Sequence, residues 1–207
     1  MFHVEHATKK TDTCTDRYNI KRTYKRAKEM NKELLLSNLR NIPDFPIPGI
    51  QFKDVTSLFK NPECMREMDK TLYEMYKDYG ITKIVGIESR GFVMASALAV
   101  KLNAGFVPIR KPGKLPAETI SESYTKEYGT DTIEIHKDAI DTNDVVLIHD
   151  DLLATGGTML AAYNLIKKMN AKKIYINFII ELEGLGGRSI FPAEADIRAL
   201  LNVEVNE

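Results

Sequence analysis

The chain has 207 residues, 43% of them hydrophobic and 28% charged, with 29 Lys/Arg balanced by 29 Asp/Glu. That length suits one domain with a full core, and zero net charge argues against a molecule built as a whole to grip a nucleic-acid backbone. No apolar run reaches 18 residues, so no helical membrane span is predicted, and Cys14 and Cys64 have neither zinc-site nor CxxC spacing.

In chain order, residues 1–29 hold few aliphatic side chains and no periodicity, and residues 1–30 carry eight Lys/Arg against four Asp/Glu. They are expected to form a disordered, mobile extension ahead of a single domain over 30–207, with Met30 a plausible alternative start. A basic nucleic-acid arm or a transit peptide is the lesser reading of the same charge. The Leu-rich segment Asn31–Arg40 predicts a helix stopped by Pro43, followed by a Pro/Gly-punctuated loop over Asp44–Thr56. Asn61 as N-cap and Pro62 at the first helical position open a second helix. Its apolar face is Met65, Met68, Leu72, Met75 and Tyr79, with Gly80 as the left-handed stop and Cys64 a small buried hydrophobe.

Short apolar strands and helices then alternate. Strands are predicted at Lys83–Ile87, Gly105–Ile109, Val145–Ile148 and Ile174–Ile180, and helices at Phe92–Leu102 and Thr158–Met169. This order implies an α/β fold, a central mostly parallel sheet flanked by helices. Between Ala117 and Lys137 the pattern becomes apolar/polar alternation with Gly129 as a turn, which predicts a projecting β-hairpin. His149 is expected to be a satisfied structural histidine. Cysteine usage fits a reducing, cytoplasmic compartment.

The segment VVLIHDDLLATGGTM, Val145–Met159, carries the most chemical information. A buried strand delivers Asp150 and Asp151 to the carboxyl edge of the sheet, where open α/β folds bind ligands. Ala154, Thr155, Gly156, Gly157 and Thr158 then run into a helix N-terminus, whose amides and dipole favour a phosphate. The loop lacks the GK[ST] ending of a Walker motif. Two acids beside a phosphate cradle make sense if the ligand also presents vicinal hydroxyls, which carboxylates accept. A ribose 5-phosphate meets both demands. GIESRGF places Glu88, Ser89 and Arg90 at a strand end, and PIRKPGKLP gathers Arg110, Lys111 and Lys114 at another, a cation set suited to polyphosphate.

The string resembles the phosphoribosyl pyrophosphate signature of the type I phosphoribosyltransferases. DFPIPGIQFKD, GIESRGF, PIRKPGKLP and SYTKEYGTD together resemble the adenine branch of that family. The resemblance runs from about Leu39 to Arg188 and implies a small hood and a hairpin lid on the α/β core. It implies that phosphoribosyl pyrophosphate and adenine are converted to AMP and pyrophosphate, with Mg²⁺ held mainly by substrate and water and no dedicated protein metal site. It further implies that Ser89 and Arg90 border the pyrophosphate, with Arg90 also near the base, and that Lys111 and its basic neighbours face the leaving group. Phe52 and Leu182 would wall the adenine, backbone groups around Gln51 would read its edge, and Glu127 beside Tyr128 in the lid would be the acid/base group. A homodimer is the family's usual state, and no nucleic acid or membrane partner is expected. The same chemistry on hypoxanthine, guanine or xanthine, and a ligand-sensing regulator that binds nucleic acid or protein, are the alternatives.

Overall fold

The computed structural model describes residues 30–125 and 129–205. The expected extension at 1–29, and Lys126, Glu127 and Tyr128, therefore lie outside the described residues. Lys32–Glu207 forms one compact unit. Helix α1 spans Lys32–Asn38 and ends short of Arg40, because Arg40–Pro43 is strand β1. It pairs antiparallel with β2, Gln51–Asp54, placing Ile42 opposite Phe52. Only part of the expected loop over Asp44–Thr56 is therefore loop. The ribbon is anchored by Arg40, which pairs with Asp54 at 2.7 Å. A single turn of helix comes next, α2 at Thr56–Phe59.

Helix α3, Pro62–Tyr76, starts as expected: the Asn61 side chain accepts from the Glu63 and Cys64 amides, with Pro62 at the first position. Its buried face is Cys64, Met68, Leu72 and Tyr76 at a four-residue step, and Met65 and Met75 are half-buried flanks. The helix gives way at Lys77, and Gly80, with φ +65°, turns the chain three residues later. Gly80 therefore directs the entry to the sheet rather than capping the helix.

Strands β3 (Lys83–Ile87) and β4 (Gly105–Ile109) bracket helix α4 (Gly91–Leu102). Strands β5 (Thr119–Thr125) and β6 (Thr130–His136) form the antiparallel hairpin, with Gly129 at φ +93°. Strand β7 covers Val145–Leu153, α5 Gly157–Lys168, β8 Lys173–Glu183 and β9 Asp196–Glu204, with a 3₁₀ turn at Gly187–Ile190. The main sheet has the order β4-β3-β7-β8-β9, and every neighbouring pair in it is parallel.

Both faces of this sheet are covered, as an all-parallel sheet requires. Val85, Val146, Ile148, Ile176 and Phe178 cluster with Met159, Ala162, Leu165 and Ile166 of α5. The alternate residues Ile84, Leu147 and Ile179 are equally buried and point to the other face by the two-residue period. Among the described residues no helix is long and apolar enough to cross a membrane.

His149 is fully buried in β7, with Nδ1 3.0 Å from Asn177 Oδ1 and Nε2 lacking a partner among the described residues. The ring is therefore structural but only half satisfied. Burial pushes its pKa down to about 4, against the opposing pull of Asn177 and the Asp151 charge. An unfolded histidine binds its proton near 6.5, so this contribution is fully present above about 6.5 and is lost as pH falls toward 4. The window carries roughly 3 kcal/mol at most. Urea unfolding at pH 7 and pH 4.5 should show a larger loss for the wild type than for His149→Leu. Equal losses would exonerate His149 as the titrating group.

Candidate active site

Parallel register brings the carboxyl ends of β4, β3 and β7 side by side, with Ile87 opposite Ile109 and Gly86 opposite His149. The segments that leave these three strands therefore face one cleft of about 280 Å³. Its wall contains Ser89, Arg90, Arg110, Lys111, Asp150, Asp151 and Thr158, seven of the residues singled out from sequence. A second concavity of about 110 Å³ is lined by Ala154, Thr155, Gly156, Gly157 and Thr158, and shares Asp150 and Thr158 with the first. The acid pair and the Ala154–Thr158 loop thus line two adjoining concavities that meet at Asp150 and Thr158.

Strand β7 continues through both aspartates, with Asp150 in register with Phe178 of β8, so neither carboxylate rides on a free loop. The Asp151 amide donates to Asp150 Oδ1 at 2.9 Å. Burial, and then the neighbouring Asp151 charge, push the Asp150 carboxyl well above the usual carboxylate range. Asp151 is instead ion-paired: Arg90 Nε donates to its Oδ2. The Asp151 side chain is 5% exposed and the Arg90 side chain 41%. Arg90 therefore anchors to the sheet while much of its guanidinium remains open to the cleft.

Glu88, to which the sequence assigns no role of its own, organises the basic rim. Arg110 holds it with two bonds, Nη2 to Oε1 at 3.0 Å and Nε to Oε2 at 3.2 Å, and the Lys111 amide adds a third at 3.2 Å. Hydrogen bonding from Arg110 is the main reason that the Glu88 carboxyl stays below its ordinary pKa. Arg110 also donates to the Lys114 carbonyl at 3.0 Å, which fixes the turn carrying Lys111 and Lys114. Both lysines are exposed.

The residues expected around a base are placed less completely. The Phe52 ring lies edge-on to Phe45 at 5.1 Å, and the Arg90 guanidinium carbon sits 5.8 Å from the Phe52 centroid, which links the β1–β2 ribbon to the cleft. Gln51 Oε1 accepts from Asn41 Nδ2 at 2.7 Å. Leu182 is half-buried on β8 opposite Val203. Phe52, Gln51, Lys114 and Leu182 stand outside the residues lining the larger cleft. Glu127 and Tyr128 lie outside the described residues. Tyr124 and Asp131 do line the cleft, although the sequence singled out neither. The available signal was the two-residue alternation of β5, where Ile120, Glu122 and Tyr124 are half-buried and their neighbours largely exposed.

An acid pair, a glycine-rich loop that opens a helix and a basic rim meet at the carboxyl edge of a parallel sheet, where open α/β folds bind ligands. Residues 54–187 match the model of the phosphoribosyl transferase domain. An adenine phosphoribosyltransferase of Phocaeicola vulgatus is 69% identical over 174 residues, covering 84% of this chain and 100% of that protein. One of Bacteroides thetaiotaomicron is 64% identical over 84% of this chain and 99% of that protein. The crystal structure of the Rhodothermus marinus adenine phosphoribosyltransferase superposes with a TM-score of 0.78 at 50% identity, covering 83% of this chain and 97% of that one. The Saccharomyces cerevisiae enzyme, crystallised with D-2,5-dideoxy-2,5-imino-altritol 1,6-bisphosphate and adenine, gives 0.76 at 41% identity, covering 82% and 97%. The chain belongs to the phosphoribosyl transferase domain family and, within it, to the adenine phosphoribosyltransferases.

Proposed function

We propose that this chain transfers the 5-phosphoribosyl group of phosphoribosyl pyrophosphate to adenine, giving AMP and pyrophosphate. The observation that carries this is the meeting of Asp150 and Asp151 with the Ala154–Thr158 cradle in two adjoining concavities, in a chain so close to the adenine phosphoribosyltransferases. Residues 30–207 act as one phosphoribosyltransferase domain, with 1–29 outside it, in a cytoplasmic homodimer.

The cradle anchors the 5-phosphate far from the reacting bond, which supplies orientation to the chemical step. Asp150 and Asp151 accept from the two ribose hydroxyls. Ser89, Arg90 and Lys111 receive the pyrophosphate, while the Glu88–Arg110 pair holds the rim that carries Lys111. The bond from the anomeric carbon to pyrophosphate oxygen breaks as the bond to the base nitrogen forms, through a transition state with oxocarbenium character. Glu127 takes the proton that the imidazole ring of adenine gives up. Phe52 and Leu182 flank the base, and backbone at Gln51 reads its edge. Closure of the hairpin with Tyr128 excludes water from the activated sugar.

Among the described residues no group of three His, Cys, Asp or Glu side chains could hold a metal. Two adjacent aspartates beside a polyphosphate cleft do suit a hard cation that takes most of its oxygens from substrate and water. Mg²⁺ would supply neutralisation of the leaving group there, facing Asp150 and Asp151.

The test is product formation with Mg²⁺, phosphoribosyl pyrophosphate and each purine base in separate reactions. AMP and pyrophosphate from adenine alone is the expected result. Turnover only with an oxopurine would move the base assignment, and no turnover despite tight phosphoribosyl pyrophosphate binding would favour a ligand sensor.

A further inference from the structure

The basic rim is built on four residues that follow β4 and Arg110, namely Lys111, Pro112, Gly113 and Lys114. The Lys114 amide donates to the Lys111 carbonyl at 3.3 Å, and Gly113 has φ +73°. Proline at the second position and a positive-φ glycine at the third mark a type II turn, which sets the two lysines at its ends, within about 7 Å of each other. All four residues are exposed, and among the described residues a Cβ placed on Gly113 would meet nothing within 4 Å. Packing therefore does not hold the middle of this turn, and polar contacts must.

Two of those contacts come from the strand ends: Glu88 accepts from the Lys111 amide, and Arg110 donates to the Lys114 carbonyl. The third comes from the hairpin. Glu134 of β6 exchanges both backbone bonds with Arg110, at 3.0 and 2.7 Å, and its Oε2 accepts from the Gly113 amide at 3.2 Å. Ile133 and Ile135 on either side of it belong to the core, so the two-residue period of the strand turns Glu134 to the opposite face. The backbone bonds fix where the turn begins. The carboxylate fixes Gly113, the residue type with the most conformational freedom to lose. An acid in a rim that receives a polyanion is unfavourable by charge alone, so its use there is to hold the amide.

We propose that Glu134 is a positioning residue for the pyrophosphate end of the substrate, holding the Lys111–Lys114 turn in place through the Gly113 amide. This rests on the reading above that Lys111 and its basic neighbours receive the pyrophosphate. What Glu134 supplies is an acceptor, not a charge.

Glu134→Gln and Glu134→Ala are both neutral, so they share any electrostatic gain toward an anion, but only glutamine keeps an oxygen for the Gly113 amide. Neither touches the backbone bonds to Arg110. Calorimetric titration with Mg²⁺ present should show pyrophosphate binding about three- to tenfold weaker in Glu134→Ala than in Glu134→Gln, with equal ribose 5-phosphate affinity in the two. KM for phosphoribosyl pyrophosphate should differ in the same direction. In a protein that also carries Lys111→Ala and Lys114→Ala the difference should vanish, because the turn then has no cations to place. Equal pyrophosphate affinity in the glutamine and alanine variants would overturn the proposal. So would an equal loss of ribose 5-phosphate affinity, or a difference that survives without the two lysines. If the Lys111→Ala, Lys114→Ala protein itself binds pyrophosphate as tightly as the wild type, the assignment of these lysines to pyrophosphate fails instead, and the role of Glu134 with it.

Discussion

Gly187→Ala should lower kcat/KM for phosphoribosyl pyrophosphate by about two orders of magnitude and cost the fold roughly 3 kcal/mol. A Cβ on Gly187 would lie 2.0 Å from the Ala154 carbonyl oxygen and 3.0 Å from its carbon. Both groups are backbone, so no rotamer change relieves the overlap. The contact is reciprocal: a Cβ on Gly156, at φ +82°, would lie 2.6 Å from the Gly187 carbonyl oxygen. The phosphate loop and the turn after β8 are therefore interlocked through two residues that must lack side chains. Which side yields is decided by anchoring. The turn is held by Arg188, which donates to Glu181 Oε1 at 3.0 Å and to the Ile197 carbonyl at 2.7 Å. The phosphate loop gives way, and a displacement of about 1 Å in a substrate anchor is enough for a hundredfold loss. Urea unfolding and initial rates measure the two effects separately. A variant that is less stable but fully active would show that the turn moves and the cradle does not.

That interlock explains why part of the site was legible in the sequence and part was not. Asp150, Asp151 and the cradle occupy nine consecutive positions, so their chemistry could be read as one string. Gly187 reads locally as one more glycine after Gly184 and Gly186; its constraint comes from Ala154, 33 positions earlier. Tyr124 accepts a hydrogen bond from Thr158, 34 positions later, and fits the pattern of any half-buried strand residue. The fold divides in the same way. Strands β3 and β4 lie at their predicted bounds because each is an apolar run closed off by polar or turn residues. Strand β7 outruns its prediction because the hydrogen-bond ladder continues past Ile148, where hydrophobicity ends. Strand β9 escaped notice because charges interrupt it. Asp196 and Arg198 pair at 2.9 Å, and the Arg198 guanidinium carbon sits 4.9 Å from the Tyr79 centroid, so long-range partners make those charges compatible with a sheet. The short β1–β2 ribbon likewise depends on partners across an intervening loop, Pro43 with Gln51 and Arg40 with Asp54, which local propensity does not encode.

Asp150→Asn should move stability and turnover in opposite directions. The folded carboxyl has its pKa raised, first by burial and then by the Asp151 charge. A raised acid contributes stability that is present below its unfolded value near 3.9 and is lost as pH rises through the folded value. Asparagine has the same shape and carries no charge, so the variant escapes this loss and should melt above the wild type at pH 7. The advantage should vanish at low pH, where both side chains are neutral. Its amide oxygen can still accept from the Asp151 amide, which keeps the strand geometry. Catalysis should suffer nonetheless. Replacing a carboxylate that accepts a ribose hydroxyl by a neutral amide forfeits a charge-assisted bond, a loss of about ten- to a hundredfold in kcat/KM. Asp151→Asn provides the contrast, because Asp151 is already paired with Arg90, and its replacement should lower activity without raising the melting temperature. Thermal melts at pH 4 and pH 7 beside initial rates separate the two positions. A fully active Asp150→Asn protein would remove that residue from sugar recognition. A variant that melts below the wild type at pH 7 would mean that the half-buried Asp150 carboxyl is compensated more fully than its surroundings imply.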